Sequence, residues 1–153
     1  MNISPTPDAT ANEPVFRFGT KAETLERLAP MLKHVRLCDQ IITTVAEWRR
    51  SEHDVIERIV ARFASRPLAI RSSSTQEDGA QTSNAGRFES VTNVAPLAGA
   101  IGDAIERVIG SYGQTGDDQQ VLIQPMVEEL SLAGVVLTRD LETGSPYYVI
   151  DYD

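Results

Sequence analysis

A proline at position 67 divides two apolar patterns of different period, and this division limits the chain more than any other local feature. Ahead of it, Trp48, Val55, Ile56, Ile59, Val60 and Phe63 recur at the spacing of one helix face, predicting a long helix to about residue 64. Proline lacks the N–H for the next main-chain bond and its ring clashes with the preceding turn, so that helix must stop. Behind it, Leu68, Ala69 and Ile70 form a short continuous apolar run, expected as a buried strand over 68–72.

The remaining apolar stripes supply cover for such a strand. Leu25, Leu28, Ala29 and Leu32 predict a helix over 21–33, opened by a capping box of Thr20 with Glu23. Val35, Leu37 and Ile41 alternate with polar neighbours as a short strand or extended segment, and a second cap can form at Thr43 and Thr44. The interval 75–90 lacks apolar periodicity and is expected as an exposed, mobile loop, followed by an extended piece over 91–94. Pro96 suits the first turn of a further helix, whose face is Leu97, Ile101, Ala104, Ile105, Val108 and Tyr112. Glycines and aspartates at 113–118 mark a change of pattern, after which 121–127, 132–138 and 146–151 read as strands, the last two joined by a hairpin turn at 142–145.

The expected class is α+β. It comprises a flexible N-terminus over 1–14, a subdomain of helices and short strands over 15–113, and the first strands of a second, antiparallel subdomain over 119–153. Three strands without a covering helix make a poor core. The chain also finishes on a strand at Tyr152 and Asp153, as though more sheet or a packing helix should follow.

Composition removes several function classes. A length of 153 residues allows one ordinary domain or two small subdomains. The net charge of −8 argues against a general nucleic-acid or anionic-membrane surface, because both need a basic face to displace counterions. The single Cys38 cannot form an internal disulfide, and no Cys or His pair has zinc-finger spacing; a reducing cytoplasm is the expected compartment. No run approaches the roughly 20 apolar residues of a membrane helix. His34 and His53 read as surface helix or helix-end residues, and Trp48 as core.

The strand after Pro67 ends in Arg71, followed by four consecutive hydroxyl residues, Ser72, Ser73, Ser74 and Thr75, and later by a small-residue turn at Ala85 and Gly86. Cation, hydroxyls and a close-approach turn together suit an anion, and a nucleotide phosphate is the expected one. Singly, each residue has a plain structural role. Lys21 is a solvated first-turn lysine, Arg71 a partner of Glu77 or Asp78, the hydroxyl run a polar loop, Gly86 a turn, and Gln124 a polar strand residue.

Jointly and in order, four pieces resemble the N-terminal nucleotide-binding domain of the phosphoenolpyruvate synthase and pyruvate phosphate dikinase family, an ATP-grasp fold. They are the helix start Gly19-Thr20-Lys21-Ala22-Glu23-Thr24-Leu25; Ile70-Arg71-Ser72-Ser73-Ser74-Thr75 with Glu77 and Asp78; Ala85-Gly86 running to Val91-Thr92-Asn93-Val94; and Val121-Leu122-Ile123-Gln124-Pro125-Met126-Val127 with Ala133-Gly134-Val135-Val136-Leu137-Thr138, Asp140 and Thr143-Gly144. The resemblance implies that ATP, with Mg2+ in the complete enzyme, lies between two subdomains. Lys21 and Arg71 would meet phosphate, Gly86 would let a loop approach it, and Ser90 would offer a hydroxyl. Gln124 and the main chain of 125–127, Met126 included, would form the adenine side. For Glu77 and Asp78 two roles stay open, loop structure or a metal-facing or lid role.

Departures from the pattern are Thr20 for a glycine, Asn84 and Arg87 for phenylalanine and glutamine, and Leu141 for a proline. The segment from Phe18 to Leu25 and the ending from Pro146 to Asp153 look most like the capsule-associated, glutamine kinase-like branch. The resemblance further implies partners in the remainder of a longer kinase, namely a phosphohistidine domain and an acceptor domain. The family completes its site with a downstream glutamate, glutamine and arginine, so the chain alone is expected to be inactive. The alternative is a non-catalytic nucleotide-binding or protein-interaction module, with a homodimer through the exposed edge of its last strands.

Overall fold

The structure is a computed structural model and describes residues 16–63, 65–74, 78–79, 82–83, 88–113 and 116–153. The flexible segment expected at 1–14, Gly86, Glu77 and most of the expected 75–90 loop lie outside the described residues.

Helix α1 (Lys21–Leu28) opens with the expected capping box: Thr20 Oγ1 accepts the Glu23 N–H at 3.2 Å, and Glu23 Oε2 accepts the Thr20 N–H at 3.4 Å. It is shorter than its stripe predicts. Pro30 has no N–H for the helical ladder, so the chain tightens into a 3-10 turn at Ala29–Met31. Strand β1 (Ile41–Thr44) leads directly into α2 (Val45–Arg50), where Thr44 Oγ1 accepts the Glu47 N–H at 3.0 Å. The long helix expected to residue 64 is two helices, α2 and α3 (Glu52–Phe63). They are divided at Ser51, whose φ of −155° and ψ of 68° are not helical. The Ser51 carbonyl accepts the Val55 N–H at 3.2 Å and its hydroxyl donates to Asp54, so one residue closes α2 and opens α3.

Strand β2 (Leu68–Ser73) follows Pro67 as expected. Two-residue strands β3 (Asp78–Gly79) and β4 (Thr82–Ser83) pair with each other, and β5 (Ser90–Val94) returns alongside β2. At the end of the segment expected to be wholly exposed, Phe88 is buried, its ring edge-to-face with Tyr112 at 5.3 Å. Helix α4 (Ala98–Ser111) starts after Pro96, with Leu97 as N-cap, so the proline precedes the first turn instead of occupying it.

Strand β6 (Gln120–Pro125) corrects the expected boundary at 113–118. The principal sheet is antiparallel in the order β1-β6-β2-β5, so β6 lies inside it and belongs with the elements before it. Its apolar residues Val121 and Ile123 complete the same core as Ile41 and Ile70. Of the strands that follow this boundary, β7 (Gly134–Leu137) and β8 (Val149–Tyr152) lie outside the principal sheet and form a hairpin of their own. Their connection is longer than the expected turn. Asp140 Oδ1 accepts the main-chain N–H groups of Glu142 and Thr143 at 3.2 and 2.7 Å, and Gly144 takes a positive φ of 68°.

Side chains alternate across the principal sheet, and the two faces differ. One carries Leu68, Ile70, Val94, Val121 and Ile123, packed against Trp48, Ile59, Ile101, Ile105 and Val108 of α2, α3 and α4. Burying side chains of this size contributes about 1.5–3 kcal/mol each, so this face holds the fold. The other face carries Ala69, Arg71 and Ser73 of β2 with Leu122 and Gln124 of β6. Helix α1 covers one end of it, and the remainder forms the candidate site.

Candidate functional site

Arg71 is the one exposed residue of β2, flanked by Ile70 and Ser72, which point into the core. Its register partners are Leu122 on β6 and Ser90 on β5. Ser90 is exposed and sits beside Arg71 on the adjacent strand. Two residues along β6, Gln124 pairs with Ala69. Ala69, Arg71, Gln124, Met126 and Leu130 line one concavity of about 310 Å3. That volume is near the lower end of small-molecule sites, roughly 300–1,000 Å3, and is suited to a base or ring rather than a whole nucleoside triphosphate. Apolar walls with the polar ends of Gln124 and Arg71 match the usual composition of such a site.

Lys21 enters from the α1 end, its Nζ 3.5 Å from the Ser72 carbonyl oxygen, one residue from Arg71. The helix start does not offer a phosphate its full set of main-chain donors. The Ala22 N–H donates to Ser73 Oγ at 3.0 Å and the Glu23 N–H to Thr20 Oγ1, so two of the first-turn N–H groups are taken. What α1 presents to an anion is therefore the Lys21 ammonium and the positive end of the helix dipole. Thr20 also serves beyond its cap: its hydroxyl donates to Gln120 Oε1 at 2.7 Å, and Gln120 Nε2 donates to Glu23 Oε1 at 3.1 Å. A glycine there would lose both the cap and this cross-link.

The expectation for Met126 needs a correction at its main chain. Its N–H donates to the Pro67 carbonyl at 2.8 Å and its own carbonyl accepts Arg66 Nη2 at 3.2 Å, so this residue is not a free edge. Because main-chain groups alternate along a strand, those of Pro125 and Val127 face the opposite side, past the last β1 pairing of Ile41 with Ile123. Any edge recognition belongs to these two residues, with the Met126 side chain lining the concavity.

Lys21, Arg71, Ser90, Gln124 and Met126 thus share one face or edge of the principal sheet, whereas Gly86 lies outside the described residues. Among the described residues no group of three or more His, Cys, Asp or Glu side chains is placed to hold a metal ion. The described side chains alone therefore do not fit a metal site. No helix among them is long and apolar enough to cross a membrane.

Two carboxylates outside that concavity, Asp39 and Glu47, are structurally committed. Arg62 grips Asp39 through two bonds of 2.8 and 2.7 Å and holds its carboxyl below the usual carboxylate range. Arg58 at 2.8 Å and Thr43 at 2.9 Å do the same for Glu47. A residue the sequence argument assigned only to a helix face is Tyr112, whose hydroxyl accepts the Ser73 N–H at 3.1 Å and donates to the Gln120 carbonyl. Comparison with models of known protein families and with curated proteins gives no match for this chain.

Proposed function

We propose that this chain is the ATP-binding portion of a dikinase-type phosphotransferase of the phosphoenolpyruvate synthase and pyruvate phosphate dikinase family. One observation carries the reading. Arg71, Gln124 and Met126 line a single concavity, with Ser90 beside Arg71 and Lys21 reaching the adjacent residue, although the five are spread over 106 positions, from 21 to 126.

Each residue has a role that its chemistry allows. The planar Arg71 fork meets phosphate oxygens in pairs, and the Lys21 ammonium adds a mobile point charge on the same side. Ser90 contributes a hydroxyl to a phosphate oxygen. Gln124 and the walls from Ala69 to Leu130 hold the base, with the edge groups of Pro125 and Val127 reading its rim. Mg2+ would arrive with the triphosphate and supply charge to its oxygens. On this reading the chain binds and orients ATP in the cytoplasm, while a histidine on a separate domain takes the phosphoryl group and an acceptor domain selects the substrate.

Isothermal calorimetry with Mg-ATP tests the reading. Saturable heat that Arg71→Ala weakens by about tenfold or more is expected, since a charge-assisted phosphate contact contributes roughly 1.5–3 kcal/mol. An unchanged affinity in Arg71→Ala would remove the residue from the site. A second reading, a protein-interaction module of the same descent, rests on the β7–β8 hairpin, where Val136, Ile150 and Tyr152 expose 60%, 62% and 68% of their surface.

A further inference from the structure

We propose that Tyr112 is a positioning residue that sets Lys21 against Arg71. The inference rests on the nucleotide reading above. Ser73 and Gln120 are a cross-strand pair of β2 and β6, and the Tyr112 hydroxyl bridges the N–H of one to the C=O of the other. The hydroxyl arrives from the core face, on a ring that is 6% exposed, at the end of α4 and edge-to-face with Phe88.

The side chains of the same two residues hold α1 on the opposite face. Ser73 Oγ accepts the Ala22 N–H, and the Gln120 amide joins Thr20 to Glu23. One strand pair therefore fixes α4 below the sheet to the N-terminus of α1 above it. Lys21 lies between Thr20 and Ala22, the two residues so tied, and Arg71 is two residues before Ser73 on the same strand. A shift of the Ser73–Gln120 pair moves the ammonium relative to the guanidinium. A buried polar network of this kind constrains geometry because each member has its partner.

Tyr112→Phe keeps the ring and removes the bridge, which allows a test by coupling. In the parent chain, Lys21→Ala is expected to weaken Mg-ATP binding in calorimetry about tenfold. In the Tyr112→Phe background the same Lys21 change should cost less than about threefold, while Arg71→Ala keeps its full effect. Without nucleotide, amide exchange at Ala22 and Ser73 should quicken by about tenfold or more in Tyr112→Phe, with Ile70 and Ile123 unchanged. A merely structural tyrosine would lower thermal stability and leave the Lys21 effect intact, which overturns the proposal. Unaltered exchange at Ala22 overturns it as well, whatever ATP does. A parent chain with no Mg-ATP heat removes the nucleotide reading, and this positioning role with it.

Discussion

Arg71 stands exposed in a strand whose other residues are buried, which separates its effect on binding from its effect on stability. Replacing a surface side chain of this kind changes stability by about 0.5 kcal/mol or less. Arg71→Ala should therefore melt within a degree or two of the parent by calorimetric scan while its nucleotide affinity falls; a large drop in melting temperature would mean that the arginine serves the fold. Glu47 shows the opposite assignment. Its carboxyl is held below its ordinary value of 4.5, chiefly by the hydrogen bond from Arg58. A depressed folded-state pKa means that the unfolded chain binds more protons, so this stabilisation is complete above pH 4.5 and is lost as pH falls through the folded value. Glu47→Gln should be less stable than the parent in urea at about pH 7, and the difference should shrink steadily as pH falls below 4.5. A gap that persists in acid would assign the effect to packing.

Among the elements, α1 matters most to the site because it delivers Lys21. Thr20→Ala removes the capping box and the bond to Gln120, with an expected cost of about 1 kcal/mol. Hydrogen exchange should rise through Lys21–Leu28 and stay unchanged in β6; uniform loosening would place the effect in the core instead. This helix start was legible in the sequence because a cap is a local device, set by Thr20 and Glu23 three positions apart. Pro67 was legible for the same reason. The break at Ser51 was missed since the apolar stripe from Trp48 to Phe63 runs through it, although Ser51 and Asp54 have the spacing of a helix cap. The place of β6 between β1 and β2 had no local signal, because strand order depends on contacts far along the chain. The occupied main chain of Met126 and the bridge at Tyr112 follow from that pairing and were hidden with it.

For the molecule as a whole, the core between the sheet and α2, α3 and α4 is the source of stability, and Ile105 is fully buried in it. Ile105→Ala should cost about 2–5 kcal/mol in urea unfolding, a loss near 0.5 kcal/mol being incompatible with this packing. The β7–β8 hairpin differs, exposing apolar side chains on a pair of strands that is marginal alone. Pairing of two copies along this hairpin would make apparent mass rise with concentration in light scattering, and Ile150→Lys would abolish the rise. A monomer mass at every concentration rules out that contact. Whether the second face of the principal sheet binds nucleotide can be read residue by residue from amide spectra of the nitrogen-labelled chain titrated with Mg-ATP. Saturable shifts are predicted at Lys21, Arg71, Ser90, Gln124 and Met126. Shifts confined to β7 and β8, or no saturable shift at all, would contradict a nucleotide site on this face.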